Sequence, residues 1–361
     1  MVDSLPDRAR KGRGAISNTT GRFERQARVA IDDGWERPDE ACDLPPLRTH
    51  VARDATRTII ARNESPDIPF AQSINPYRGC EHGCVYCYAR PSHAYLGLSP
   101  GLDFETKLFA KPDAAKLLDA ELRRPGYRPM AIALGSNTDP YQPVEREHRI
   151  TRQVLETLRD FGHPFSIVTK SALVLRDLDI IGPMAARNLA HVFVSVTTLD
   201  RDLARAMEPR ASTPQRRLDA IRGLAAAGVK VGVMAAPMIP ALNDAEMESI
   251  LEAAAAAGAT SAGYTLLRLP LELKELFEEW LAEHVPLKRS HVLSLVRDIR
   301  GGALNHAEFG KRFTGEGAYA QLVSKRFRAA RARHGLDRND WSLDLSQFRP
   351  PPKAGDQMAL F

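Results

Sequence analysis

Cysteine is scarce in this sequence: its 361 residues hold four. So few thiols cannot build the disulfide framework of a secreted scaffold at this length. Long apolar runs are also missing, and none approaches the roughly 18 residues a membrane span needs. The opening stretch MVDSLPDRARKGRGAISNTTGRFERQAR lacks the apolar core of a secretory signal, and Asp3, Asp7 and Glu24 argue against a transit peptide. The expectation is therefore a cytoplasmic protein without membrane contact. Neither sign of charge dominates. A formal net charge of +5 and a pI near 9.0 are compatible with nucleic acid, but many soluble enzymes are as basic. No internal repeat or long low-complexity segment occurs. What is present is ordinary for a globular protein, 43% hydrophobic and 26% charged residues, enough for one large domain or two modest ones.

Residues 1–60 read as a basic, loosely structured lead-in, 61–285 as the body, 286–348 as a helical extension and 349–361 as a proline-rich disordered tail. In the body, short apolar runs alternate with amphipathic helical ones. The strand candidates are FAQSINPY (70–77), MAIALGSNT (130–138), FSIVTKS (165–171), HVFVSVTT (191–198), VKVGVMAAPMI (229–239) and SAGYTLLRL (261–269). Between them, EREHRITRQVLETLRDFG predicts one helix with Ile150, Val154, Leu155 and Leu158 on a single face and Gly162 as its stop. ALVLRDLDIIGPMAARN predicts another. Thr213 and Pro214 suit an N-cap and first turn, and Asn243 or Asp244 suits the cap of the next helix. Six strand–helix units with continuous apolar strands imply an α/β fold with a parallel sheet buried on both faces. Wound by right-handed crossovers, this gives a partial (β/α)6 TIM-like barrel, with a doubly wound open sheet as the competing architecture. In either, the loops after the strand ends host the chemistry.

Three of the four cysteines, Cys80, Cys84 and Cys87, crowd into NPYRGCEHGCVYCYARPSHAYLG after the first of these strands. Three readings compete. A structural zinc site wants four ligands, which His82, His93 or Cys42 would have to complete. A redox dithiol needs only Cys84 and Cys87 and leaves Cys80 unexplained. An iron–sulfur cluster suits soft thiolates, and a four-iron cube held by three of them keeps one iron open for chemistry. Gly79 and Gly83 would let the loop curl around such a cluster, since glycine tolerates positive φ and adds no bulk.

The spacing Cys-x3-Cys-x2-Cys, with Tyr86 just before the third cysteine, resembles the radical S-adenosylmethionine (SAM) enzymes. The segments CEHGCVYCYAR, GSNTDPYQPVER, IVTKS and VSVTTLDRDLARAMEPRASTPQRRL extend the resemblance over about residues 70 to 270, toward the branch that contains spore photoproduct lyase. The lead-in KGRGAISN resembles that of uncharacterised bacterial photolyase-related radical SAM proteins. The resemblance implies a [4Fe-4S] cluster on Cys80, Cys84 and Cys87, with SAM on its open iron. Reductive cleavage would then yield a 5′-deoxyadenosyl radical that abstracts hydrogen from substrate. It also implies an electron donor such as flavodoxin or ferredoxin, and an open substrate for which nucleic acid leads, with a peptide or small metabolite close behind. The rival functions are a zinc-stabilised nucleic-acid-binding protein and a simple iron–sulfur electron carrier.

By the same resemblance, Tyr86 would lie near the adenine, and Thr138 and Asp139 would face the methionine amino group. Lys170 and Ser195 would hold the methionine carboxylate. A lysine closing an apolar strand calls for an anionic partner. Arg210 is a candidate for an anionic substrate or the adenosyl group, Tyr88, Tyr141 and His93 for the mouth, and Tyr264 for a radical relay. Spore photoproduct lyase uses a further cysteine near the end of the second strand, where this chain has Ser136, Asn137 and Thr138. Cys42 is the remaining thiol and the weak candidate for that hydrogen-donor role. The basic helix KRFRAARAR shows no interleaved aromatic stacking pattern, its one ring being Phe327, and reads as a solvated face.

Overall fold

All six apolar runs become strands of one sheet. The computed structural model describes residues 8–24, 26, 46–338 and 341–352. Its strands, in chain order, are β1 (His50–Arg53), β2 (Ile60–Arg62), β3 (Gln72–Ile74), β4 (Tyr77–Arg78), β5 (Lys107–Ala110), β6 (Ile132–Leu134), β7 (Phe165–Thr169), β8 (Ala190–Ser195), β9 (Lys230–Met238) and β10 (Ser261–Leu266). The main sheet runs β10-β9-β8-β7-β6-β3-β2, parallel throughout except for the antiparallel edge pair β2–β3. From β3 to β10 the order never reverses. A doubly wound sheet would reverse at a switch point, so the uniform progression selects the barrel-like architecture. Helices cover the outside, and Val154, Leu155, Leu158, Ile180, Ile221, Leu224 and Ile250 lie fully buried against the strands.

The helical expectations hold with three local corrections, the first being that ALVLRDLDIIGPMAARN forms a 3-10 helix, Ala172–Asp177, followed by an α-helix, Leu178–Ala186. Residues 145–162 form two helices, Glu145–His148 and Ile150–Asp160, because Arg149 takes a left-handed φ of 51°. The break has a tertiary cause. The buried Glu145 carboxylate turns back to accept the amides of Thr151 (3.1 Å) and Arg152 (3.4 Å), serving the positive start of the second helix. Thr213 caps as expected, its hydroxyl accepting from the Arg216 amide. Asn243 and Asp244 cap nothing by side chain; Asn243 instead accepts from the Ile239 amide and donates to the carbonyls of Thr197 and Pro237.

A second, three-stranded sheet, β1-β5-β4, was not legible in the sequence. Its short strand β4 directly precedes the cysteine loop, and its antiparallel pairing with β5 fixes where that loop starts. The lead-in is more tightly packed than its polar composition announces, with Ala15, Ile16 and Ser17 buried against the same region. Beyond the sheet, helices Arg289–Asp298 and Gly317–Arg333 form the extension. Most of the tail, 353–361, and Cys42 fall outside the described residues.

Candidate active site

The cysteine loop leaves β3 at Asn75, and each of its faces is tied to a different segment. Asn75 Oδ1 accepts the amides of Asn137 (2.9 Å) and Thr138 (3.2 Å), and its Nδ2 donates to Ser136 Oγ (3.1 Å). Gln142 clamps the loop from the same side, accepting the Glu81 amide at 2.7 Å and donating to the Gly79 carbonyl. Thus the loops after β3 and β6 form one rigid unit. Gly79 and Gly83 do adopt positive φ, 73° and 68°.

Behind the loop lies an ionic hub. Arg90 is wholly buried; it donates to the carbonyls of Cys84 (2.8 Å), Gly83, Pro100 and Gly101 and to the Glu105 carboxylate. Glu105 in turn accepts the amides of Gly14 (2.9 Å) and Ala15 (2.8 Å), which locks the lead-in onto the loop. Only glycine fits at 14, since a Cβ there would stand 1.8 Å from the Gly83 carbonyl oxygen.

In front of the loop opens a cleft of about 500 Å³, counting its open mouth. Cys80, Cys84 and Cys87 line it together with Thr138, Asp139, Lys170 and Ser195, so residues from four strand ends meet at one place. Asp139 is heavily engaged: Oδ1 accepts from Thr169 Oγ1 (2.7 Å) and the Tyr141 amide (2.8 Å), and Oδ2 from the Lys170 amide (2.7 Å). Burial pushes its carboxyl up, but His82, whose Nδ1 lies 3.4 Å away, and these hydrogen bonds prevail and hold it at about 2. Thr138 Oγ donates to the Tyr77 carbonyl and Ser195 Oγ to the Ala236 carbonyl (3.2 Å). Lys170 has no ion pair among the described residues; its Nζ stands 5.7 Å from the centre of the Tyr86 ring.

Burial pushes the Cys80 and Cys84 thiols up. The Glu208 charge adds to the rise at Cys84, and Lys170 opposes it. Three thiols of one loop facing one cleft are soft donors, and that donor chemistry fits an iron–sulfur group. Among the described residues no group of three or more His, Cys, Asp or Glu side chains converges as around one ion, and His82 is turned to Asp139. Thiolates around a cube stand farther apart than thiolates around one metal.

Other expected residues fall elsewhere. Tyr86 is buried behind the cysteines, its hydroxyl 3.2 Å from Thr197 Oγ1, and does not line the cleft. Arg210 spends its charge on Glu81 (2.8 Å). Tyr141 is a core residue bonded to Asp177, and His93 sits behind the loop against Phe104 with Nε2 on the Lys107 carbonyl. Tyr264 stacks on Phe327 beneath the outer helix. Tyr88 alone of the expected mouth aromatics lines the cleft. The sequence reading missed Asn75, Arg90, Glu105 and a buried network below Tyr86. In that network Thr197 donates to Glu208 (2.8 Å), and Glu208 pairs with Arg217, which also donates to the Ser195 carbonyl (3.1 Å).

The signature of the radical SAM superfamily matches residues 74–254, from the end of β3 through five of the strand–helix units. The chain belongs to the radical SAM superfamily. As a radical SAM enzyme it works with SAM and an iron–sulfur cluster, and among the described residues no helix is long and apolar enough to cross a membrane. It is 40% identical over 242 residues to an uncharacterised protein of Mycobacterium tuberculosis, spanning 66% of this chain and 71% of that one. To an uncharacterised protein of Methanocaldococcus jannaschii it is 30% identical over 173 residues, 48% of this chain and 62% of the other. Among solved structures, spore photoproduct lyase complexed with dinucleoside spore photoproduct superposes with a TM-score of 0.56 at 17% identity, covering 79% of this chain and 78% of that one. A mutant of the same lyase with bound AdoMet and dinucleoside spore photoproduct gives 0.55 at 16% identity over the same shares. These likenesses establish the fold, a parallel α/β sheet of radical SAM type.

Proposed function

We propose that Cys80, Cys84 and Cys87 hold a [4Fe-4S] cluster with one open iron, and that the enzyme uses SAM there to abstract hydrogen from a substrate. The three cysteines would hold the cluster, which when bound would supply the electron for reductive cleavage of SAM to methionine and a 5′-deoxyadenosyl radical. The chain's own residues bind, orient and shield. The observation that carries this reading is the cleft itself: three thiols of one loop share it with Lys170, a cation that no carboxylate of the described residues neutralises. Lys170 is the partner for the methionine carboxylate, with Ser195 beside it. Thr138 and Asp139 face the ammonium group, and Asp139 also fixes the Lys170 backbone through its amide. Tyr86 contributes to the adenine site through its backbone, since its ring is turned to the core.

The working division of the chain is a lead-in of residues 1–60, a catalytic barrel of 61–285, a helical extension of 286–348 and a tail of 349–361. The enzyme is read as cytoplasmic, with flavodoxin or ferredoxin as the one-electron donor and nucleic acid as the substrate class. The test is anaerobic. Protein supplied with iron and sulfide should hold about four of each per chain and, once reduced with dithionite, should convert SAM to 5′-deoxyadenosine. One zinc per chain, or a cluster that leaves SAM intact, would defeat the proposal.

A further inference from the structure

We propose that the mouth of the cleft carries a track for an unpaired stretch of nucleic acid, built from Tyr88, Arg268, Phe313, Arg312 and Phe309. The inference rests on the cleft being the radical-generating site and concerns what is delivered to it.

Aromatic rings and guanidinium groups alternate along this track. The Arg268 guanidinium carbon lies 4.9 Å from the centre of the Tyr88 ring and 5.3 Å from that of Phe313. That of Arg312 lies 4.8 Å from Phe313 and 4.9 Å from Phe309. The ladder starts next to Cys87, at a ring that lines the cleft, and ends at Phe309, which is 56% exposed; Tyr88 is 47% exposed. It joins the loop after β3 to the segment after β10 and to the extension, at the two ends of the parallel run. Within the chain its one local trace is EFGKRF (308–313), just before the helix Gly317–Arg333.

The arrangement is held rigidly. Arg300 is buried and donates to the carbonyls of Leu266 (2.8 Å), Leu267 (2.9 Å), Lys311 (3.1 Å) and Arg312 (2.9 Å), clamping both halves of the ladder together. Arg312 pairs with Asp67 at 2.8 Å, and the Gly310 amide donates to the same carboxylate. Arg268, by contrast, is half-buried and has no carboxylate partner among the described residues. A stacked, uncompensated guanidinium calls for an anion from outside, and flat rings on either side call for flat groups. Phosphate and base meet both demands. A peptide would need free backbone groups, yet the Leu266 and Leu267 amides are bonded to Phe313 and Met238, and their carbonyls to Arg300. Bases must be unpaired to lie on the rings.

The test uses full-length anaerobic protein carrying its cluster and a fluorescein-labelled twelve-nucleotide thymidine strand, alone or annealed to its complement, with binding followed by anisotropy across a salt series. The single strand should bind more tightly than the duplex. Arg268→Gln should weaken it about tenfold and lower the salt slope by about 0.7, the share of one phosphate contact. Phe309→Ala should weaken it about fivefold with the slope unchanged. Arg268→Lys, which keeps charge but loses the planar stack, should fall between. Lys325→Gln on the outer helix should match wild type, and each variant must keep wild-type iron content. Preference for duplex, equal binding by wild type and Arg268→Gln, or no saturable binding overturns the track. Release of 5′-deoxyadenosine by the same wild-type preparation separates the cases: release without oligonucleotide binding removes the track alone, and no release removes the reading beneath it.

Discussion

The cations beneath the cleft differ from those at its mouth. Arg90, Arg217 and Arg300 are buried and saturated: each guanidinium is spent on carbonyls or on a buried carboxylate, Glu105 for Arg90 and Glu208 for Arg217. Lys170 and Arg268 lie over aromatic rings and have no such partner among the described residues. Both kinds carry the same charge in the same region. The saturated ones have nothing left for a ligand, so their work is to fix loop geometry. The unsaturated ones retain the capacity to bind an incoming anion. Charge alone would not have sorted them; the inventory of acceptors does.

The sharpest way to break the comparison is to remove what both kinds are arranged around. Cys84→Ala should abolish iron and sulfide retention outright, as metal analysis of anaerobic protein would read. Wild-type iron content in that variant would mean the ligands are wrongly assigned. Next in size is a saturated cation. Arg217→Met strands Glu208 in the core and should lower stability by about 3–5 kcal/mol in denaturant unfolding; a loss under 1 kcal/mol would show that the network is not structural.

Acid extends the comparison to histidine. His163 and His191 are buried and held at about 4, chiefly by desolvation, with Lys230 adding to the effect at His191. Their folded values lie below the unfolded value of about 6.5. Both are neutral in the native state, so their stabilising contribution is full above about 6.5 and is lost as pH falls toward 4. Each lost contribution is on the order of 3 kcal/mol. His163→Gln should flatten its share of the acid slope in urea midpoints measured against pH. The smallest expected effect on the fold comes from an unsaturated cation. Lys170→Met should weaken SAM binding by about tenfold to a hundredfold, the worth of a charge-assisted hydrogen bond, while the unfolding midpoint stays near wild type. A large stability loss would move Lys170 into the saturated class.

What was legible in the sequence was local. Continuous apolar runs announced six strands, and the cysteine spacing singled out a loop that lines the candidate cleft. Features set by contacts far apart in the chain were hidden. The helix break at Arg149 depends on Glu145 folding back to Thr151, and the packing of the lead-in depends on Gly14 meeting Gly83. Strand β4 has two residues and exists because β5 pairs with it. Arg210 read as a free cation because nothing in its neighbourhood of sequence revealed Glu81. The ladder was hidden for the same reason, since Tyr88, Arg268 and Phe313 become neighbours only when the two ends of the parallel run are joined.

The central claim is a cluster with one iron left open to SAM by a three-cysteine loop. The most direct measurement is the electron paramagnetic resonance spectrum of the dithionite-reduced cluster, recorded with and without SAM. A marked change in the signal on adding SAM is the predicted result, because the cofactor would bind iron directly. Identical spectra at saturating SAM would contradict the account.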